Sequence, residues 1–173
     1  MVMAARRTLD TGLVLAALDR VADPEIPTVS IVELGMIGRI ELGPDAIEVE
    51  LLPTFVGCPA LEMIREAATA GLAPLGREFE RAVRVEVSFA TPWSSDRITT
   101  AGREKLGTSG FAPPPPTRPG RGLPMLDAAE APVACPWCGS LRTTLENVFG
   151  PTQCRSIRHC PDCLQAFEAF KPV

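Results

Sequence analysis

Met36-Ile-Gly-Arg-Ile-Glu-Leu-Gly-Pro-Asp-Ala-Ile-Glu-Val-Glu-Leu51 largely alternates apolar and polar residues on either side of Gly43-Pro44-Asp45. A period of two turns one face of each segment to a core and the other to water, and the central turn cluster predicts a β-hairpin. Upstream, Val14, Leu18 and Val21 recur at helical spacing, with Asp10 placed to cap the start. That helix must stop by Asp23, because Pro24 disfavours helical geometry in the residue before it. Downstream, Leu61, Ile64, Ala68 and Leu72 mark a second helix, with Pro59 expected at its first position. Val83, Val85, Val87 and Phe89 then alternate with polar residues as a third strand. Helix, hairpin, helix, strand predicts a small α+β domain over 1–107, its helices on one side of a three-stranded sheet.

The chain has 173 residues, 46% hydrophobic and 22% charged, the balance of an ordinary folded protein. Eighteen prolines are too many for one core. Seven of them, with three glycines, fall in 108–132, including the run Pro113 to Pro116, so this segment predicts a partly stiff linker. It serves either as a spacer or as a strap docked on the first domain. No apolar stretch approaches the roughly 20 residues of a membrane helix. Arg6-Arg7 is followed by a short apolar segment bracketed by Asp10 and Asp19, which fits an amphipathic helix better than a secretory signal. A cytoplasmic location is the expectation. The net charge of −4 disfavours a protein whose main task is neutralising phosphates. One histidine, His159, and no tyrosine leave little for His-centred acid–base chemistry.

Cysteines are the remaining chemical resource. Cys135-Pro-Trp-Cys138 and Cys160-Pro-Asp-Cys163 are 21 residues apart, close to the spacing of a four-cysteine zinc site. Each Cys-x-x-Cys turn brings two thiolates to within about 2.3 Å of one ion, and two turns complete a tetrahedron. About 40 residues cannot bury enough surface to fold alone, so 133–173 is expected to be a metal-stapled ribbon. Structural Zn²⁺ is the expected ion; iron or an iron–sulfur cluster is the alternative for four thiolates. Cys154 and His159 lie near the second pair, either as substitute ligands or, for Cys154, as a buried small residue or an exposed spare thiol and, for His159, as a flanking side chain. Arg142, Arg155 and Arg158 offer a weak basic face on a module with a net charge of only +1, four basic residues against three acidic.

Cys58 stands apart, in Thr54-Phe-Val-Gly-Cys58-Pro59. With Pro59 opening the helix, Cys58 would occupy its cap, where the helix dipole lowers a thiol pKa. The plainer alternative is a small buried hydrophobe. Before the hairpin, Asp23-Pro-Glu-Ile-Pro27 fixes two carboxylates on an extended loop, as metal or partner contacts or as solvated turn acids.

Asp23-Pro-Glu-Ile-Pro27, Ser30-Ile-Val-Glu-Leu-Gly-Met36 and Thr54-Phe-Val-Gly-Cys58-Pro59 together resemble the small iron–sulfur assembly domain of SufT-type proteins. The cysteine ribbon behind a proline-rich linker, ending in Phe167-Glu-Ala-Phe-Lys171, narrows the resemblance to the PaaD (PaaJ) family. That family accompanies the phenylacetyl-CoA epoxidase of aerobic phenylacetate breakdown. The resemblance implies a non-catalytic accessory protein that assists iron–sulfur or iron cofactor maturation of the epoxidase or its reductase. Cys58 would be the transient cluster or iron contact, with Asp23, Glu25 and Thr54 in support, and epoxidase oxygenase or reductase subunits would be the partners. One thiolate cannot supply a cluster's usual four ligands, so a homodimer sharing the cargo is one arrangement.

The sequence has no Glu-x-x-His pair, which removes the usual di-iron helices. A structural subunit of the oxygenase is the alternative function. A ribbon-based nucleic-acid regulator conflicts with the acidity, and a thiol enzyme at Cys58 lacks an obvious base.

Overall fold

The computed structural model describes residues 8–115 and 132–171. Helix α1, Thr11–Leu18, starts where the pattern places it: Asp10 accepts the Leu13 amide at 2.8 Å. Val14 and Leu18 are fully buried, and Val21 follows just beyond the helix. Strands β1, Ile37–Leu42, and β2, Ala46–Leu51, form the antiparallel hairpin. A bulge interrupts the pairing between Ile37 and Ile40. There Gly38 leaves room for Glu50, whose carboxylate accepts the Arg39 amide at 3.0 Å; a Cβ on Gly38 would stand 2.5 Å from that carboxylate.

Helix α2, Leu61–Glu78, crosses over to β3, Ala82–Val87, which runs parallel to β2 and completes a sheet of order β1-β2-β3. Ile47, Val49, Leu51 and Val85 pack with Val14, Leu18, Ile64, Ala68 and Leu72 in one core. Both helices therefore lie on one face, and Glu48, Glu50, Arg84 and Glu86 line the other. Two expectations are corrected. Pro59 is not the first helical residue, because Cys58–Leu61 forms a separate turn, closed by the Leu61 amide on the Cys58 carbonyl. Phe89 is not on the buried face: β3 ends at Val87, and Phe89 is 56% exposed.

A third helix, α3, Thr100–Thr108, follows a 3₁₀ turn at Ser95–Arg97. This segment clamps the turn before the hairpin. Trp93 Nε1 donates to the Leu34 carbonyl at 2.9 Å, and the Arg97 guanidinium donates to the carbonyls of Gly35 and Ile37. Gly35, at φ +68, passes so close to Arg97 that a Cβ would lie 2.4 Å from its carbonyl oxygen.

Strand β4, Phe111–Ala112, comes from the start of the proline-rich segment. The ribbon that follows consists of β5, Thr144–Asn147, β6, Arg155–Cys160, and β7, Gln165–Phe170, paired antiparallel in sequence. Strand β4 adds to this sheet parallel to β7. The linker expectation for 116–131 falls outside the described residues. The α+β class with a three-stranded sheet and a cysteine ribbon is the architecture observed.

Candidate metal centre and thiol site

The two Cys-x-x-Cys turns are built alike. The Gly139 amide donates to the Cys135 carbonyl and the Leu164 amide to the Cys160 carbonyl, both at 2.8 Å. Gly139 and Leu164 each adopt a positive φ, which bends the chain back after the second cysteine. All four sulfurs lie within 4.8 Å of one another, with Cys135–Cys163 and Cys138–Cys160 each at 3.6 Å. Sulfurs 2.3 Å from a central ion stand about 3.8 Å apart at the edges of a tetrahedron, so the four residues fit a single tetrahedral ion. Burial alone would raise the Cys160 thiol, but the Cys163 amide and neighbouring S–H groups hold it down to about 7. Burial pushes Cys163 up to about 12. A metal ion binds such residues as thiolates, so its capture would release their protons. Asp162 joins the two turns by accepting from Ser140 Oγ and pairing with Arg142. His159 and Cys154 are not among the four.

Cys58 lies half-buried in the loop between β2 and α2. Its expected position as the helix cap is corrected to one turn earlier, and with it the sign of the electrostatics. Burial pushes the thiol up, only the Ala60 amide pulls it down, and the charges of Cys154, Asp23 and Glu25 raise it further. Its resting state is therefore the thiol.

Asp23 Oδ1 accepts the amides of Glu25 at 2.8 Å and Ile26 at 3.0 Å, a turn around Pro24 that fixes the loop. Burial raises the Asp23 carboxyl despite those bonds. Glu25 is engaged elsewhere: its carboxylate pairs with Arg155 at 3.0 Å. Thr54 is half-buried at the start of the Cys58 loop, and among the described hydrogen bonds none joins it to Cys58. The structure thus gathers Cys58, Asp23 and Glu25 and leaves Thr54 at the margin.

Sequence reasoning missed the role of Arg155. Arg155 is 5% exposed and pairs with both Glu25 and Glu168 while its guanidinium lies 5.3 Å from the Phe111 ring centroid. It ties the first domain to the ribbon. Of the three arginines expected to offer a basic face, Arg155 and Arg158 are buried, while Arg142 is exposed and pairs with Asp162.

A family model described as "PaaD zinc beta ribbon domain" matches residues 121–171, and one described as "Iron-sulfur cluster assembly protein" matches 13–87. The chain is 34% identical over 163 residues to a protein of Escherichia coli K12 named as a putative 1,2-phenylacetyl-CoA epoxidase subunit, covering 91% of this chain and 90% of that one. A shorter stretch of 58 residues is 43% identical to the "Iron-sulfur cluster carrier protein" of Mycobacterium tuberculosis, covering 33% of this chain and 15% of that protein. Among solved structures, a domain of unknown function (DUF59) from Bacillus anthracis superposes with a TM-score of 0.51 at 27% identity, covering 56% of this chain and 90% of that one. A conserved hypothetical protein from Thermotoga maritima gives 0.50 at 29%, covering 60% and 99%. Likeness along nearly the whole length of one relative, with both domain models in the order the fold displays, means that the chain belongs to the PaaD family of phenylacetyl-CoA epoxidase subunits.

Proposed function

We propose that this chain is a non-catalytic accessory factor of phenylacetate degradation that hands iron or an iron–sulfur cluster to the phenylacetyl-CoA epoxidase system. The observation that carries this is Cys58: a half-buried thiol on a turn, in a domain of iron–sulfur assembly type, beside the fixed loop of Asp23 and Glu25. A resting thiol suits transient holding, because capture requires loss of a proton and release restores it. Asp23 supports the site, Glu25 sets the loop against Arg155, and Thr54 contributes to the shape of the Cys58 loop. The cargo arrives as substrate. The oxygenase or reductase subunits of the epoxidase would receive it in the cytoplasm.

In the ribbon, Cys135, Cys138, Cys160 and Cys163 would hold one structural Zn²⁺, which would supply the folding energy that a small core lacks. Sulfurs 3.6 Å apart favour one ion over a cubane cluster, whose irons would stand between them. The organisation proposed is an assembly domain over 1–107, a linker over 108–132 and the ribbon over 133–173, with β4 lent by the linker to the ribbon sheet.

A Cys58→Ser chain tests the cargo role. It is expected to fold and keep one zinc per chain, yet fail to restore epoxidase activity in a strain lacking the wild-type chain. Full rescue would remove the role. A structural subunit of the oxygenase is the second reading, favoured by the word "subunit" in the relative's name. Stoichiometric co-purification with active enzyme would select it, since a maturation factor need not stay bound.

A further inference from the structure

We propose that Cys154 of the ribbon is the second sulfur ligand of the Cys58 site, so that a thiophilic metal cargo is held between the two domains. The assignment rests on the reading of Cys58 as the cargo thiol and adds a partner to it. The two cysteines, 96 positions apart in sequence, are brought together by contacts on both sides. Gly57 faces Gln153, such that a Cβ on the glycine would sit 3.5 Å from the Gln153 amide oxygen. Arg155 meets Glu25 at 3.0 Å. Cys154 lies between Gln153 and Arg155, and its charge acts on Cys58.

The ribbon holds Cys154 firmly. The Lys171 amide donates to the Cys154 carbonyl at 2.9 Å, and Lys171 Nζ donates to the Gln153 carbonyl at 2.7 Å. Thr152 Oγ1 lies 3.2 Å from Cys154 Sγ. Both thiols are half-buried, close enough to the surface for an ion to enter. Two exposed apolar side chains belong to the same segments: Val56, two residues before Cys58, is 80% exposed, and Phe149, 64% exposed, lies beneath the Lys171 ammonium at 4.8 Å.

Chemistry explains why the second sulfur matters. One thiol is a poor holder of a soft ion, whereas two thiolates form a donor pair suited to ferrous iron or to one edge of a cluster. Lys171 is close enough to Cys154 for their charges to interact, which offsets the negative charge of two thiolates. The ribbon would then take part in holding cargo as well as stapling the fold.

The test uses the full chain with its ribbon loaded with zinc and titrates cobalt(II), which zinc keeps out of the four-cysteine site. Wild type is expected to bind one further cobalt with a thiolate-to-metal charge-transfer band. Cys58→Ser and Cys154→Ser, checked for zinc content and circular dichroism, should each weaken binding by about 100-fold, since losing a ligand costs at least as much as losing its support. In parallel, dibromobimane, which fluoresces only after alkylating two neighbouring thiols, should link Cys58 to Cys154 in the metal-free site of the wild type. If Cys154→Ser binds cobalt as wild type does while Cys58→Ser does not, the shared site is wrong and the Cys58 reading stands. If neither variant loses binding, both are wrong. A wild-type chain that yields no Cys58–Cys154 link also overturns the shared site.

Discussion

Glu33 is a carboxylate whose surroundings decide its charge. Its residue is nine-tenths buried, and burial alone would raise the carboxyl. Lys105 Nζ at 2.6 Å and the Ser30 amide at 2.9 Å outweigh that and hold it below the ordinary value. The Glu33 amide in turn donates to Ser30 Oγ at 3.0 Å, a reciprocal pair that locks the turn beneath α3. A carboxyl depressed in the folded state contributes stability above its unfolded pKa of about 4.3, and that contribution is lost as the pH falls through the lower folded value. Glu33→Gln should therefore lower stability by about 1–2 kcal/mol at pH 7, with the smaller figure favoured because Lys105 remains half in water. In urea unfolding at a series of pH values, the difference should shrink on acidification; a constant gap would refute the charge argument. At this scale the sequence was only partly legible. Asp10 was visible as a cap because aspartate before an apolar period has few other uses, whereas Cys58-Pro59 serves a turn as readily as a helix start.

Elements with a strong period were read correctly, and those without one were not. The hairpin, α1, α2 and β3 each bury one face, so their apolar spacing shows in the chain. Helix α3 reads Thr-Ala-Gly-Arg-Glu-Lys-Leu-Gly-Thr and buries only Gly102 and Leu106, so it leaves no such trace. Its formation follows from the Thr99 cap and from packing on the Glu33 turn, and neither shows as an apolar period. Helix α2 also carries a local conflict, because Pro74 lies inside it. Proline cannot donate to the carbonyl four residues back, and its ring crowds that carbonyl. Pro74 is exposed, so replacing it removes little core packing. Pro74→Ala should restore the missing bond to Ala70 and raise stability by about 1–2 kcal/mol, after subtracting the entropy that proline removes from the unfolded chain. Calorimetry should then show a Tm higher by several degrees. An unchanged or lower Tm would mean that the proline is required by the α1–α2 packing.

The whole molecule depends on contacts that no local pattern announces. Glu25 and Arg155 are separated by 130 positions, and Phe170 from the last strand enters the core of the first domain, edge-on to Phe111 at 6.5 Å. Composition marks the proline-rich segment as a break, yet its first residues pair with β7 and carry the ribbon against the first domain. The two stabilities are thereby linked. If the metal staples the ribbon, removing it frees β6 and β7 and withdraws both Arg155 and Phe170 from the first domain. Burying one such aromatic side chain is worth about 1.5–3 kcal/mol, which corresponds to a Tm shift on the order of 10 °C for a domain of this size. Chelation with a high-affinity zinc ligand should therefore abolish ribbon signals and also lower the transition of the first domain by that amount. Phe170→Ala, with its metal retained, should reproduce most of that shift while leaving the ribbon sheet intact. A first-domain transition unmoved by either treatment would mean that the interface contributes no stability and that the ribbon is merely tethered.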